Sequence, residues 1–409
     1  MPYRLIFSIL LIFIHGANYS QNLPSLLLNK NINSTFSILA YDSTAREWGI
    51  AVATNNIYVG NSTIYIQPGI GAFSVIAETE PSYAIDGFEG LKKGKSIQEA
   101  IEFTKRKDNG WYDRQVAGID AQGNTYAFTG EALKYWQGKS DHIIGNHFVV
   151  MGNQLADQVL YRMKASYESS SGTLAERLLK SLLAGQSAGG QINGKQSAAL
   201  VVKGIGKEWY NQIDLRVDNS VSPFEELQKL LNYHYGRITL NQAIYALKAK
   251  NISRGKELLV QAEEKLKDWN GIYSKIAMAY ILLGDEKKAV FIIRKAMSEN
   301  SAWKHNLPAF YCLNNHPEIN NLLNESSFTL KDWYSAIRFL INIDRNQKAI
   351  DLANKILKRY PSSSFVYYLR AKAYAGEKNT KPALNDVRMA LQLDQNNAEA
   401  KALLGELER

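Results

Sequence analysis

The stretch Thr35-Phe36-Ser37-Ile38-Leu39-Ala40 is strand-like and opens on a hydroxyl side chain where a polar leader gives out. Its reading decides the fold of the first half of the chain. A threonine that heads a strand serves as a nucleophile only if its amine is freed.

Upstream, Arg4 precedes an uncharged run from Leu5 to Ile14, followed by Gly16, Ala17, Asn18, Tyr19 and Ser20. That is the layout of a secretory signal peptide. The run is too short to span a bilayer. The expected cut lies near Ser20 and Gln21, making 1–20 a leader, 21–34 a linker and the product secreted or periplasmic. Cys312 is the single cysteine of the chain. It forms no internal disulfide and lies far from the cut, so neither a disulfide framework nor a stable membrane anchor through a lipidated cysteine is expected.

Downstream, 409 residues with 45% hydrophobic content are ample for more than one core. Charge separates two expected domains, 35–236 and 237–409. The first carries 19 Lys and Arg against 21 Asp and Glu, the second 27 against 18, so the net +9 belongs to the leader and the second half. In an exported protein this basic balance points to a solvated helical face or acidic partners, and no nucleic-acid role is expected.

Period separates the halves too. Phe36 to Ala53 and Thr63 to Ala77 read as strands interrupted by Pro68, Gly69 and Gly71. Ser96 with Glu99 begins a helix as a capping box. Gln115 to Ile119 and Thr125 to Thr129 form an expected hairpin around Asp120–Asn124. Leu155 to Tyr167 and Leu174 to Leu183 read as helices, then Ser197 to Val202 and Ile213 to Val217 as strands. Helices between strand pairs predict an α+β domain of two helix-covered sheets.

From Ile238 onward the strand pattern vanishes. Ala243, Ala246, Gly255 and Ala262 recur 34 positions later as Ala277, Tyr280, Ala289 and Ala296, and Ala371, Tyr374, Ala383 and Ala390 repeat that internal spacing. This is the tetratricopeptide (TPR) period. Four helix pairs are expected, with Ala302 to Leu330 out of register as a degenerate or inserted pair. The concave face of such an array is a candidate surface for a protein or peptide partner.

Metal-binding His-Glu-x-x-His, paired-cysteine, Gly-x-Ser-x-Gly and phosphate-loop patterns are absent, and His142, His147 and His234 lack ligand spacing. No metal and no cofactor is expected. Polar and glycine-rich blocks remain: Gly152-Asn153, Ala184 to Gly190, Gly194-Lys195-Gln196-Ser197-Ala198-Ala199 and Asp214-Leu215-Arg216-Val217-Asp218. Their glycines either let backbone N–H groups approach a ligand or mark turns. Glu78, Glu80 and Asp86 equally fit a cleft or a solvated loop. Trp111, Trp136 and Trp209 fit sugar stacking or rim packing.

Thr35-Phe36-Ser37-Ile38, Trp48 to Ala53, Arg114-Gln115, Gly118-Ile119-Asp120, Ala127 to Gly130 and the blocks above come in one order. From about Thr35 to His234 the chain resembles the domain-of-unknown-function 1028 family, whose activity is not established. That family is regarded as similar to N-terminal-nucleophile (Ntn) hydrolases. The resemblance implies a four-layer αββα fold and an amide-bond hydrolase or peptidase in which Thr35 attacks and its own amine takes the proton. Asn153, Gln196, Ser197, Asp214 and Arg216 are the polar residues that orient or bind in this reading. Relatives often begin Met-Thr-Phe-Ser-Ile, whereas here Ser34 precedes Thr35 and a second cleavage is required. Gln191 stands where relatives tend to have Asp. The competing expectation is a non-catalytic periplasmic binding or scaffold protein on the same fold.

Overall fold

The computed structural model describes residues 34–208 and 211–409. The expected signal peptide, nearly all of the linker and Trp209 lie outside them. The chain divides after Leu231 into two compact units. The expected boundary at 236 falls inside an uninterrupted helix, α5 (Pro223–Lys248).

In the first unit a six-stranded antiparallel sheet has the order β10-β9-β2-β1-β8-β7. Its strands are β1 (Thr35–Asp42), β2 (Glu47–Thr54), β7 (Lys139–Gly145), β8 (Phe148–Leu155), β9 (Ser197–Gly204) and β10 (Ile213–Val217). A four-stranded antiparallel sheet runs β3 (Ile64–Gln67), β4 (Gly71–Ala77), β5 (Arg114–Asp120) and β6 (Thr125–Thr129). The period-2 alternation of β1 explains the layering. Leu39 faces the apolar core between the sheets, with Val52, Ile76, Ala117 and Met151. Phe36, one residue out of phase, faces the opposite side, where a side chain on Gly185 would meet it.

Helices cover both outer faces. On the small sheet lie α1 (Ser82–Lys92) and α2 (Ile97–Lys105), whose Phe88, Ile97 and Ile101 join Phe73 and Val116 in a second core. Ser96 closes the expected capping box with Glu99. On the large sheet lie α3 (Val159–Ser169) and α4 (Leu174–Ser187), the latter capped by Thr173 and Glu176. Gly49 of β2 admits α4, since a Cβ there would sit 2.4 Å from Leu178 Cδ1.

The second unit is all-helical and TPR-like. α5 is followed by α6 (Ile252–Lys265), α7 (Tyr273–Leu283) and α8 (Glu286–Glu299). After α9 (Pro317–Asn320) come α10 (Leu330–Asn342), α11 (Asn346–Arg359), α12 (Ser364–Gly376), α13 (Thr380–Leu393) and α14 (Ala398–Leu407). Ala277, Ala289 and Ala296, like Ala371, Ala383 and Ala390, are fully buried. Small side chains at these places allow close helix approach. Four turns share one geometry. Lys250, Gly284, Asp344 and Lys378 take left-handed φ of 63°, 88°, 57° and 58°. In each case the next residue's N–H bonds a carbonyl five residues back: Asn251 to Ala246, Asp285 to Tyr280, Arg345 to Leu340 and Asn379 to Tyr374. This is the Schellman closure of a helix end. Between α8 and α10 the chain runs as a 3₁₀ stretch from Ser301 to Leu313 with Pro308 inside and a kink at Phe310. Pro308 has no N–H to donate to a regular helix.

Candidate functional site

One row of side chains crosses the large sheet at the start of β1. Register places Ser197 of β9 opposite Thr54 of β2, Thr54 opposite Thr35 of β1, and Thr35 opposite Asn153 of β8. Paired residues share a face, and Ser37, two residues on from Thr35, bonds Ser74 of β4 across the inter-sheet space at 3.1 Å. The row therefore faces inward. All four residues are buried.

The hydrogens can be assigned from groups with no freedom. The Thr35 N–H is an obligate donor, so the Asn153 atom 3.0 Å away is Oδ1. Asn153 Nδ2 then donates to Gln115 Oε1 at 3.2 Å. Gln115 Nε2 reaches Asp141 O at 2.9 Å, Gly152 O at 3.0 Å and Thr129 Oγ1 at 2.9 Å. Two of these three are carbonyl oxygens, which only accept, so both amide orientations are fixed. Gln115 sits on β5 and Asn153 on β8, both at 0% exposure, and together they tie the two sheets through polar bonds. Thr129 Oγ1 in turn shares a hydrogen bond with His142 Nδ1 at 2.9 Å. Burial pushes the His142 imidazole below its ordinary pKa, with Asp141 opposing, which favours the uncharged ring.

On the other side of Thr35 the bonds converge on Ser34. Thr54 Oγ1 donates to Ser34 O at 2.7 Å, Gln191 Nε2 at 2.5 Å and the Asn55 N–H at 3.3 Å. Since the one hydroxyl hydrogen of Thr54 goes to Ser34 O, the 3.0 Å contact between Thr35 Oγ1 and Thr54 Oγ1 has Thr35 as donor. The Thr35 hydroxyl is thus linked, through Thr54, to the carbonyl oxygen of the residue before it.

Thr35 and Thr54 also line a cavity of about 180 Å³ with Asn56, Tyr58, Thr63 and Glu78. Two non-glycine residues beside the site have left-handed backbones. Ala77, at the end of β4 on the cavity wall, has φ 68°, and Gln154, next to Asn153, has φ 51°. At Gln154 the β7–β8 register shifts between Lys139 and Asp141. Strain and bulges of this kind concentrate where side chains are aimed for function.

The structure brings together Thr35, Asn153 and Ser197 of the residues singled out from sequence. Ser197 Oγ has no hydrogen-bond partner among the described residues. Gln196 contributes its backbone N–H to Thr54 O, while its side chain bonds Asn219. Asp214 and Arg216 face each other on edge strand β10, with bonds of 2.7 and 3.1 Å that raise the Arg216 pKa. They do not line the cavity. Nor do Glu80 and Asp86.

The glycine block 184–190 is the end of α4. Its Ala188, Gly189 and Gly190 N–H groups bond Ala184, Gln186 and Gly185 carbonyls, so they are not available to an oxyanion. The helix expected from Leu155 begins at Val159, because Leu155 completes β8. Trp111 packs partly buried against the core of the small sheet and α1–α2. Among the described residues no group of three His, Cys, Asp or Glu side chains is arranged to hold a metal, and no helix is long and apolar enough to cross a membrane.

Thr54, Asn55 and Gln115 belong to no motif that marks them as site residues in the sequence. Gln191 was visible only as a departure from the Asp of relatives.

The profile described as "Family of unknown function (DUF1028)" matches residues 35–227. A solved protein of that family from Silicibacter pomeroyi is 29% identical over 48% of this chain and 84% of its own, with a TM-score of 0.45. The protein MamA of Desulfovibrio magneticus RS-1 is 16% identical over 42% of this chain and 83% of its own, TM-score 0.20. YrrB, titled a TPR protein with an unusual peptide-binding site, is 17% identical over 40% and 89%, TM-score 0.22. No curated protein matches the chain. Residues 35–227 are a DUF1028 domain, followed by a TPR-like helical region.

Proposed function

We propose that the DUF1028 domain is a four-layer Ntn-type amide hydrolase that uses Thr35 after the Ser34–Thr35 bond is cut, in a protein exported by its leader. The observation that carries this reading is the Ser34 carbonyl. It accepts from Thr54, Gln191 and the Asn55 N–H while the Thr35 hydroxyl stands on the same Thr54 oxygen. Three converging donors polarise a carbonyl as an oxyanion site does.

The cut balances as follows. Thr35 Oγ1 adds to the Ser34 carbonyl carbon, its hydrogen passes to Thr54 Oγ1, and the Thr54 hydrogen passes to the carbonyl oxygen. The resulting ring collapses by breaking the Ser34–Thr35 C–N bond, and the nitrogen takes the hydrogen back from the new hydroxyl. An ester remains between Ser34 and Thr35 Oγ1, which water hydrolyses to a Ser34 carboxylate and a free Thr35. Asn153 Oδ1 then holds the α-amine, a base with a pKa near ~7.7–8.0. The departing Ser34 carbonyl leaves Thr54, Gln191 and the Asn55 N–H to receive the oxygen of a substrate amide.

A second reading, a non-catalytic binding or scaffold protein, rests on the same bonds. An intact Ser34–Thr35 peptide satisfies both the Asn153 acceptor and the Thr54 donor. Time-resolved intact mass of purified chain beginning at Gln21 separates the two. Loss of 21–34, abolished in Thr35→Ala and slowed by about 10²-fold or more in Thr54→Val, supports the hydrolase. A chain that keeps Ser34 and still binds its partner unchanged in Thr35→Ala supports the scaffold. A peptide partner for the TPR-like helices belongs to either reading.

A further inference from the structure

A second cavity, of about 420 Å³, lies at the opposite end of β1 from Thr35, inside the ~300–1,000 Å³ range of small-ligand sites. Residues 41–44, 146–147, 167 and 170–172 and Arg177 line it. Tyr41 stands six residues along the strand from Thr35, roughly 20 Å away, so the two cavities are separate.

Its walls are fixed by bonds within the sheet unit. The Tyr41 N–H donates to His147 O at 3.0 Å, and His147 Nδ1 donates to Gly123 O in the β5–β6 turn at 2.9 Å. Asp42 Oδ1 accepts from the Thr44 and Ala45 N–H groups at 3.0 and 2.9 Å, and Oδ2 accepts from Arg177 Nη2 at 2.6 Å. The Arg177 guanidinium lies 5.2 Å from the centre of the Tyr167 ring, which packs on Phe148 at 4.8 Å.

The lining is polar. No Ala, Val, Leu, Ile, Met or Phe contributes to it, and its one carboxylate and one guanidinium, Asp42 and Arg177, pair with each other. Ser170 Oγ donates to Ser166 O at 2.5 Å, whereas the hydroxyls of Tyr41, Ser43, Thr44, Tyr167 and Ser171 have no hydrogen-bond partner among the described residues. Tyr167 is the informative one. It is 7% exposed, and a phenol on so enclosed a ring ordinarily finds a partner in the protein. Burial pushes its pKa up to about 12, so the hydroxyl keeps its hydrogen.

We infer that this cavity binds a neutral sugar ring, whose hydroxyls are read by the Tyr167 hydroxyl and the Asp42–Arg177 pair. Adjacent sugar hydroxyls both donate and accept, as the lining requires: the carboxylate accepts, the guanidinium donates, and the free hydroxyls do either. A ligand carboxylate or ammonium would gain from one member of the pair and be repelled by the other beside it. An apolar ligand would strand the unpartnered hydroxyls. The inference does not depend on the hydrolase reading.

The test is a titration of the full chain, followed by ligand-observed NMR, with the methyl glycosides of glucose, galactose, mannose and N-acetylglucosamine, and with methyl glucuronide and methyl glucosaminide as charged counterparts. At least one neutral glycoside is expected to bind with a Kd of about 1 mM or tighter, and both charged ones about fivefold more weakly or worse. Tyr167→Phe removes one oxygen and keeps the ring on Phe148. It should weaken binding about fivefold or more and leave the thermal midpoint unchanged, because that hydroxyl bonds nothing in the protein. Thr35→Ala, in the other cavity, should leave sugar binding as it is. Absence of binding by all four neutral glycosides, preference for a charged one, or undiminished binding in Tyr167→Phe overturns the inference. So does a lowered midpoint in Tyr167→Phe, which would show the hydroxyl engaged by the protein, or a loss of binding in Thr35→Ala, which would place the sugar elsewhere.

Discussion

Both units hold non-glycine residues in left-handed backbone, and the contrast in where they fall separates architecture from site. In the helical unit Lys250, Asp344 and Lys378 occupy the turn that Gly284 fills, and pairs of them stand 34 residues apart. Each closes a helix with the same bond. That strain is part of the repeat. In the sheet unit Arg46 and His147 close the β1–β2 and β7–β8 hairpins in this conformation, whereas Ala77 and Gln154 lie at no such turn, and one walls the Thr35 cavity while the other follows Asn153. Repetition makes a strained residue explicable by local closure, whereas isolated strain beside a buried polar row asks for a function.

Four substitutions and one titration break or sharpen the contrast. The largest effect is expected at Gln115, whose loss in Gln115→Leu orphans Asn153 Nδ2 and removes the donor from the buried Gly152 carbonyl and the part-buried Asp141 carbonyl. At about 1–3 kcal/mol per unsatisfied group, urea unfolding of the first unit should show a loss of roughly 3 kcal/mol or more. In the helical unit the matching blow is steric. Ala277→Leu at a fully buried contact should cost about 1–3 kcal/mol in the second unit's transition through overpacking.

Glycine at the strained positions makes the sharpest pair. Lys378→Gly should stabilise by up to about 1 kcal/mol, since the left-handed penalty of ~1–2 kcal/mol is partly offset by glycine's extra chain entropy. It should leave the cut between Ser34 and Thr35 unchanged. Ala77→Gly should relieve strain similarly but slow that cut, because the cavity wall beside Thr35 is no longer fixed. Equal effects of both on the cut would erase the distinction.

The smallest effect concerns pH. Burial lowers the His142 pKa below 6.5, so the unfolded chain takes up that proton first as pH falls. Stability present above pH ~6.5 should decline as pH drops through that value. The decline should be shallower in His142→Gln, followed by thermal unfolding across pH 5 to 8.

The sequence carried the repeat well because its signal is local. Alanines at fixed spacing meet within one helix pair, and the hairpin 114–129 was equally readable from its turn. β7 was invisible because Lys139–Gly145 is a half-exposed edge strand rich in polar residues. β8 is buried along its whole length, so it has no alternation to read, and its last residue was absorbed into the following helix. Thr35 was legible as the head of a strand. Asn153, 118 positions away, was named only through the family resemblance, and Thr54 and Gln115, 19 and 80 positions away, were not legible, because they meet the Thr35 row only through strand register and sheet packing. For the glycine block 184–190 the turn was the right one of the two readings its composition allows, since the end of α4 uses the N–H groups itself.

The most direct measurement is the intact mass and N-terminal sequence of the mature protein recovered from the cell that makes it. A chain whose first residue is Thr35 with a free amine is the predicted result. A chain that begins near Gln21, keeps Ser34 joined to Thr35 and still hydrolyses its amide would contradict the account.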